Sequence, residues 1–140
     1  MGDTTISTGI MAIAASGMRA QQSRMRVIAE NIANADSTGK VAGADPYRRQ
    51  APVFIPTTVE GGGQGVKMAK VVPDQTDFKL EYQPGNPAAD KNGYVKLPNV
   101  DSLVEALDMK EAQRAYDANL NVIEAARAMQ LRALDLLKSS

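Results

Sequence analysis

The chain is 140 residues long, with 16 Lys plus Arg against 16 Asp plus Glu and no His, Cys or Trp. That inventory excludes a thiolate nucleophile, a Ser-His-Asp triad and a zinc centre of the usual nitrogen and sulfur ligands, because each needs imidazole or sulfur at the reacting position. A net charge of zero, spread as +1 over residues 1–35, +1 over 36–100 and −2 over 101–140, gives no general attraction to a phosphate backbone or an anionic membrane.

Catalysis would have to run on carboxylates, lysines or hydroxyls alone, and no enzyme activity, cofactor or metal is expected, nor a nucleic-acid partner or direct membrane insertion. The apolar patch Ile10 to Ala15 is too short to cross a bilayer. No Lys or Arg precedes Arg19, so a cleaved secretory signal of the ordinary kind is not expected either.

Proline and glycine divide the chain into three segments. All seven prolines and eight of the eleven glycines fall between residues 36 and 100, where they forbid a long helix. The expected organisation is an N-terminal helical arm over 1–35, a Pro/Gly-rich β-containing centre over 36–100, and a C-terminal helical arm over 101–140 that pairs with the first.

The first arm carries a seven-residue repeat. Met11, Met18, Met25 and Ile32 form one row, with Ala14, Gln21, Ile28 and Ala35 three residues further on each time. Alternating spacings of 3 and 4 place both rows on one stripe, as in a coiled-coil seam. Ile6, Ile10, Ile13 and Val27 fall on a second apolar face. Thr5 or Ser7 is expected to cap the start, and Asn34, Asp36, Ser37 and Gly39 to end the helix, with the Asn31 and Asn34 amides bonding its free carbonyls.

In the centre, Tyr47 to Thr58 reads as an edge strand interrupted by Pro52 and Pro56. Gly61 to Gly65 reads as a flexible turn rather than a phosphate cradle, which would need Lys-Ser or Lys-Thr and a helix directly after it. A second strand follows over Val66 to Val72 and a third over Phe78 to Tyr82. Asn92-Gly93 marks a tight turn before Tyr94-Val95. Asp90 to Gly93 lacks the spacing of a calcium loop, and Asp74, Asp77 and Glu81 read as solvated carboxylates rather than a catalytic pair.

The second arm repeats the pattern of the first. Met109, Tyr116, Ile123, Gln130 and Leu137 stand at strict sevens beside Ala112, Asn119, Ala126 and Ala133, while Leu120, Leu134 and Leu136 broaden the apolar face. Asp101 or Ser102 caps its start, with Glu105 completing a capping-box-like pattern. The fold class is mainly α with a small β region, the long terminal helices pairing as a coiled coil. The helix-pairing and assembly interface is expected at Met11, Met18, Met25, Ile28, Ile32, Met109, Tyr116, Leu120, Ile123, Ala126, Leu134 and Leu137. A two-helix hairpin leaves much of this apolar surface uncovered, which points to further association.

The run Asn31-Ile32-Ala33-Asn34-Ala35-Asp36-Ser37-Thr38-Gly39 resembles the signature of the bacterial flagellar rod and hook axial proteins. In that signature Asn, Leu or Ile, Ala and Asn are followed by two variable residues, Thr, one variable residue, Gly and an aromatic. Ser37 stands in place of the Thr and Lys40 in place of the aromatic. That departure, with Pro46-Tyr47-Arg48-Arg49 shortly after, is similar to the proximal-rod branch of the family. Glu111 to Asn119, with Arg114 within it, resembles the family's closing helix motif, and Gly93-Tyr94-Val95 and Pro98 to Asp101 match the run leading into it.

The resemblance implies a structural subunit of the flagellar basal-body rod, exported through the flagellar type III apparatus and polymerising through its terminal helices into a hollow drive shaft. Its implied partners are copies of itself, other rod proteins, the export apparatus and the hook-basal body complex, in the rod that crosses the periplasm. The rival reading is a soluble coiled-coil adaptor or secretion chaperone.

Overall fold

The computed structural model describes residues 2–139, with side chains from Thr5 to Ser139. Helix α1 (Gly2–Ala33) is followed by strands β1 (Gln50–Thr58), β2 (Gln64–Pro73), β3 (Lys79–Tyr82) and β4 (Tyr94–Leu97), then helix α2 (Ser102–Lys138). The strands form two separate two-stranded sheets, β1 with β2 and β3 with β4. Two long terminal helices around a small β region is the architecture the Pro and Gly distribution dictates.

Several local expectations are corrected. Helix α1 already includes Gly2, so Thr5 and Ser7 lie inside it rather than capping it, and Ser7 is buried. Its C-terminus does use Asn34: the backbone N–H and the side-chain amide of Asn34 both donate to the Glu30 carbonyl (3.1 and 2.8 Å), and Ser37 Oγ donates to the Asn34 carbonyl (3.0 Å). These bonds satisfy carbonyls that a helix end leaves open. Strand β1 starts at Gln50 rather than Tyr47 and β3 at Lys79 rather than Phe78, because Tyr47 to Arg49 and Phe78 are engaged by side-chain contacts described below. At α2, Asp101 Oδ1 accepts from the N–H groups of Leu103 and Val104 (3.0 and 3.3 Å), which is the predicted cap.

The contacts divide into two compact units, each taking segments of both helices and of the centre. The first comprises residues 1–25, 53–70 and 110–140. Within it Gly17 faces Asn119, a Cβ at Gly17 falling 2.7 Å from the Asn119 amide, and Arg24 Nη2 lies 3.5 Å from Glu111 Oε2. The order of these pairs makes the helices antiparallel. The fully buried side chains here are small, Ser7, Ala14, Ser16, Ala20, Ala112 and Ala126, so backbones approach closely.

The turn between β1 and β2 packs on a different face of α1. A Cβ on Gly61 would lie 3.4 Å from Gly9 Cα, and one on Gly63 would fall 2.7 Å from Ile13 Cδ1. A Cβ on Gly65 would overlap Ser16 Oγ and lie 2.6 Å from Val59 Cγ1. The Ser16 hydroxyl donates to the Ile13 carbonyl (2.7 Å) and accepts the Val66 N–H (3.1 Å), tying helix to strand. The glycine run expected as a flexible turn is thus a close-packing surface, chosen for the absence of side chains as much as for its bend. Gly61 and Gly62 also adopt positive φ, +91° and +85°, which L side chains rarely take.

The second unit comprises residues 26–52 and 71–109. Its core is Val27, Ile28, Ala88, Val95 and Val100, with Asn31 and Glu105 as buried polar members. β3 and β4 are antiparallel, with Tyr82 opposite Tyr94 and Glu81 opposite Val95. One face turns Val95 inward; the other carries the exposed Tyr82 and Tyr94 rings, edge to face at 5.4 Å. Gly93 has φ +86° and lies under the Tyr82 ring, where a Cβ would meet Cε2 at 2.7 Å. Asp90 Oδ1 accepts from the N–H groups of Asn92 and Tyr94 (2.9 and 3.0 Å), so this carboxylate serves the turn.

Candidate functional site

The helix-pairing residues named from the sequence fall into two sets. Along α2, Glu105, Met109, Ala112, Tyr116, Asn119, Ile123, Ala126, Gln130 and Ala133 are buried or half-buried, alternating by four and three residues. On α1, Ile28 is buried and Met11, Met18 and Met25 are half-buried. Four others reach solvent: Ile32 (38% exposed), Leu120 (37%), Leu134 (54%) and Leu137 (73%). The register set by 17 against 119 and 24 against 111 leaves no α1 residue opposite Leu137, so its place in an intrachain seam is corrected. Ile32 is corrected likewise, because the inward position at that turn is taken by Asn31, which is 1% exposed.

The signature residues build a polar clasp in the second unit. Asn31 Oδ1 accepts from the Gln50 N–H (2.9 Å) and from the Tyr47 hydroxyl (2.7 Å), while its Nδ2 donates to the Gln50 carbonyl (2.8 Å). The side-chain amide thereby pairs with both backbone groups of one residue, as a neighbouring strand would, and fixes where β1 begins. It does not bond helix-end carbonyls, which corrects the expectation for Asn31. Burial raises the Tyr47 pKa above its ordinary value of 10.0, helped by the charges of Glu30 and Glu105 and opposed by Arg49.

Arg48 and Arg49 diverge. Arg48 Nη1 donates to the carbonyls of Asp74 (2.8 Å) and Thr76 (2.9 Å), and its guanidinium lies 4.1 Å over the Phe78 ring. Arg49 Nε donates to Glu105 Oε1 and its Nη1 to Asp74 Oδ2 (3.1 Å). Burial alone would lower the Arg49 pKa, but the hydrogen bond and charge of Glu105, joined by those of Asp74, raise it. The Asp74 carboxyl is held below its ordinary 3.8 first by the Thr76 N–H and hydroxyl, then by Arg49. Asn99 completes the clasp, accepting the Arg49 N–H (2.7 Å) and donating to the Asp74 and Thr76 carbonyls (3.0 and 3.1 Å).

Glu105 Oε2 is buried without a hydrogen-bond partner. The carboxylate expected to complete a capping pattern instead reaches across to Arg49. Glu105, Asn99, Gln50 and Asp74 are the members that sequence reasoning did not place here. The one signal available was a Glu in the first turn of a helix downstream of an Arg pair, which is too common to decide it. Gly39 allows close approach of Ala44, whose carbonyl a Cβ would meet at 2.7 Å; Ala33 and Arg114 are exposed. Among the described residues no group of three or more acidic side chains is placed to hold a metal ion.

Both ends of the chain match family models. Residues 11–39 match the flagella basal body rod protein model, and residues 91–136 match the C-terminal model of the flagellar basal body rod FlgEFG proteins. Across nearly the whole length the chain is 52% identical to the flagellar basal-body rod protein FlgC of Agrobacterium fabrum, covering 91% of this chain and 93% of the relative. The chain belongs to the FlgC family of flagellar basal-body rod proteins. It is 45% identical to FlgC of Salmonella typhimurium (91% and 95% covered) and 35% identical to FlgC of Bacillus subtilis (90% and 95%). The family assigns the chain a structural role as a rod subunit of the flagellum. No helix among the described residues is long and apolar enough to cross a membrane.

Proposed function

We propose that this rod subunit belongs to the proximal rod and polymerises through its terminal helices, which pair as an antiparallel coiled coil lining a hollow shaft. The observation that carries this reading is the distribution of apolar surface on α2. One stripe is covered, while Leu120, Val122, Met129, Leu131, Leu134 and Leu136 on either side of it are 37–71% exposed. A monomer gains nothing from such flanks, whereas an open helical assembly needs different patches on one subunit to meet different patches on its neighbours. The interface comprises the residues named from the sequence, the covered ones within the subunit and the exposed ones between subunits.

Export runs through the flagellar type III apparatus, and the partners are copies of this chain, other rod proteins and the hook-basal body complex. The clasp acts as the joint that redirects the chain from α1 into the centre and anchors the start of α2. Torque passes along the helices and needs that joint rigid. Deleting the gene and imaging detergent-extracted basal bodies tests this: loss of the rod with the membrane-embedded base retained, restored by a plasmid copy, is the expected result. Normal rods and normal swimming would refute it and favour a soluble adaptor. Ile123→Asp, which puts a charge on the half-covered stripe, is expected to abolish swimming.

A further inference from the structure

The first unit contains a groove of about 620 Å³ that the single chain leaves unfilled. Its floor is a face of α1 formed by small side chains, Ala12, Ala15, Ser16 and Ser23, and its wall is the end of β1 with the start of β2. Residues 12–23 rise about 17 Å, three helical turns. The groove is charged at its ends. Glu60 stands at the turn, whose following glycines lie against Gly9 and Ile13, while Arg19 stands further along α1 and Lys67 on β2. All three side chains are exposed.

The same unit carries a matching ridge. Leu120, Glu124, Arg127, Leu131, Leu134 and Lys138 follow one another by four and three residues, one stripe of α2 beside the covered one. Leu131 and Leu134 are 57% and 54% exposed. The ridge cannot enter its own groove, because α2 packs on the α1 face that carries Gly17, a different face from the floor. It carries Glu124 and Arg127, a balanced pair, toward its N-terminal end and a lone cation, Lys138, at its C-terminal end. Laid antiparallel to α1 with Leu131 and Leu134 over Ala12 and Ala15, it brings Lys138 to Glu60, while Glu124 and Arg127, of opposite sign, share the level of Arg19 and Lys67. Antiparallel is also the direction of α2 against α1 within one subunit, so a neighbour displaced without reversal presents the ridge in the required sense. Such a contact joins unlike patches and does not close on itself.

We infer that the groove between α1 and the β1–β2 turn is the docking site for the Leu120–Lys138 ridge of a second copy of this chain. The inference rests on the rod-subunit reading and names the contact by which one copy holds the next. The chain contains no cysteine, so engineered thiols report without background. Ala15→Cys and Leu131→Cys are introduced together into an epitope-tagged copy expressed in the gene-deleted parent bacterium, and isolated basal bodies are oxidised and run on non-reducing gels.

A reducible ladder of dimers and higher multiples, absent from either single variant, is the expected result. Monomer alone from rods that contain the tagged chain overturns the inference and leaves the rod reading intact, as does a crosslink to a rod protein of different mass. Absence of the tagged wild-type chain from basal bodies would overturn the rod reading itself. Should the cysteine pair fail to incorporate, charge reversal decides. Glu60→Lys and Lys138→Glu each shrink the swimming halo several-fold and together restore it; a double variant no better than the singles overturns the inference.

Discussion

Replacing Arg49 with Met strips Glu105 of its cation while leaving the carboxylate where it is. The Glu105 side chain is 2% exposed and the Arg49 side chain 27%, so solvent reaches the guanidinium but not the carboxylate. With Arg49 gone, both Glu105 oxygens are buried without a donor, since Oε2 already has none. Breaking a buried pair from one side costs about 3–5 kcal/mol, and partial access at the Arg end places this case at about 3. Asp74 also loses Arg49, but its side chain is 24% exposed and keeps the Thr76 N–H, so that loss adds under about 1 kcal/mol. Glu105→Gln keeps an acceptor for Arg49 and is expected to cost about 1–2 kcal/mol. Removing both charges in Arg49→Met/Glu105→Leu leaves no orphaned ion, and this double variant should recover most of the single loss. Urea unfolding of the purified protein, followed by tyrosine fluorescence, measures all three; Tyr47, Tyr82 and Tyr94 report on the second unit. An Arg49→Met variant no less stable than the double variant would refute the reasoning.

Gly65→Ala should cost about 2–4 kcal/mol, combining overpacking against Val59 with displacement of the Ser16 hydroxyl from the Val66 N–H, and hydrogen exchange at Val66 should speed up selectively; unchanged protection there would mean the turn does not pack on α1. Because the Asp74 carboxyl sits below its ordinary 3.8 in the folded chain, the stability it contributes is present above that value and is lost as pH falls below it. Asp74→Asn should therefore flatten the acid limb of a stability-pH curve, and an identical limb would count against the assignment. Tyr47 has the opposite sign: its pKa is raised, so its contribution is intact below 10.0 and is lost as pH rises beyond it. An ultraviolet titration should lose a late-ionising phenol in Tyr47→Phe. Asn31→Ala removes the partner of both Gln50 backbone groups and should cost about 1–3 kcal/mol in thermal or urea unfolding.

The helices were legible because their signal is local and repeated. Met11, Met18 and Met25, then Met109, Tyr116 and Ile123, recur at a period that only a helix places on one stripe, and Asn34 and Asp101 carry short side chains suited to helix ends. The turn at Asn92-Gly93 was legible for the same reason, since its positive φ demands glycine on the spot. The clasp was legible only in part. Asn31, Tyr47, Arg48 and Arg49 stood out as a motif, but their partners Asp74, Asn99 and Glu105 lie 25 to 56 residues from the arginines, and spacing along the chain says nothing about which carboxylate meets which guanidinium.

Periodicity and backbone sterics act between neighbours in sequence, so the amino-acid order by itself determined two long terminal helices, an irregular strand-bearing centre and the absence of imidazole or thiol chemistry. Tertiary structure decided what those elements are for. It turned a glycine run into a packing surface, because a missing Cβ matters only once another backbone approaches. It sent Glu105 to Arg49 rather than to its own helix cap, because a charge being buried is most stabilised by an opposite charge. It also separated the covered stripe of α2 from its exposed flanks, a distinction the sequence cannot draw, since the exposed leucines are no less apolar than the covered Met109, Ile123 and Ala126.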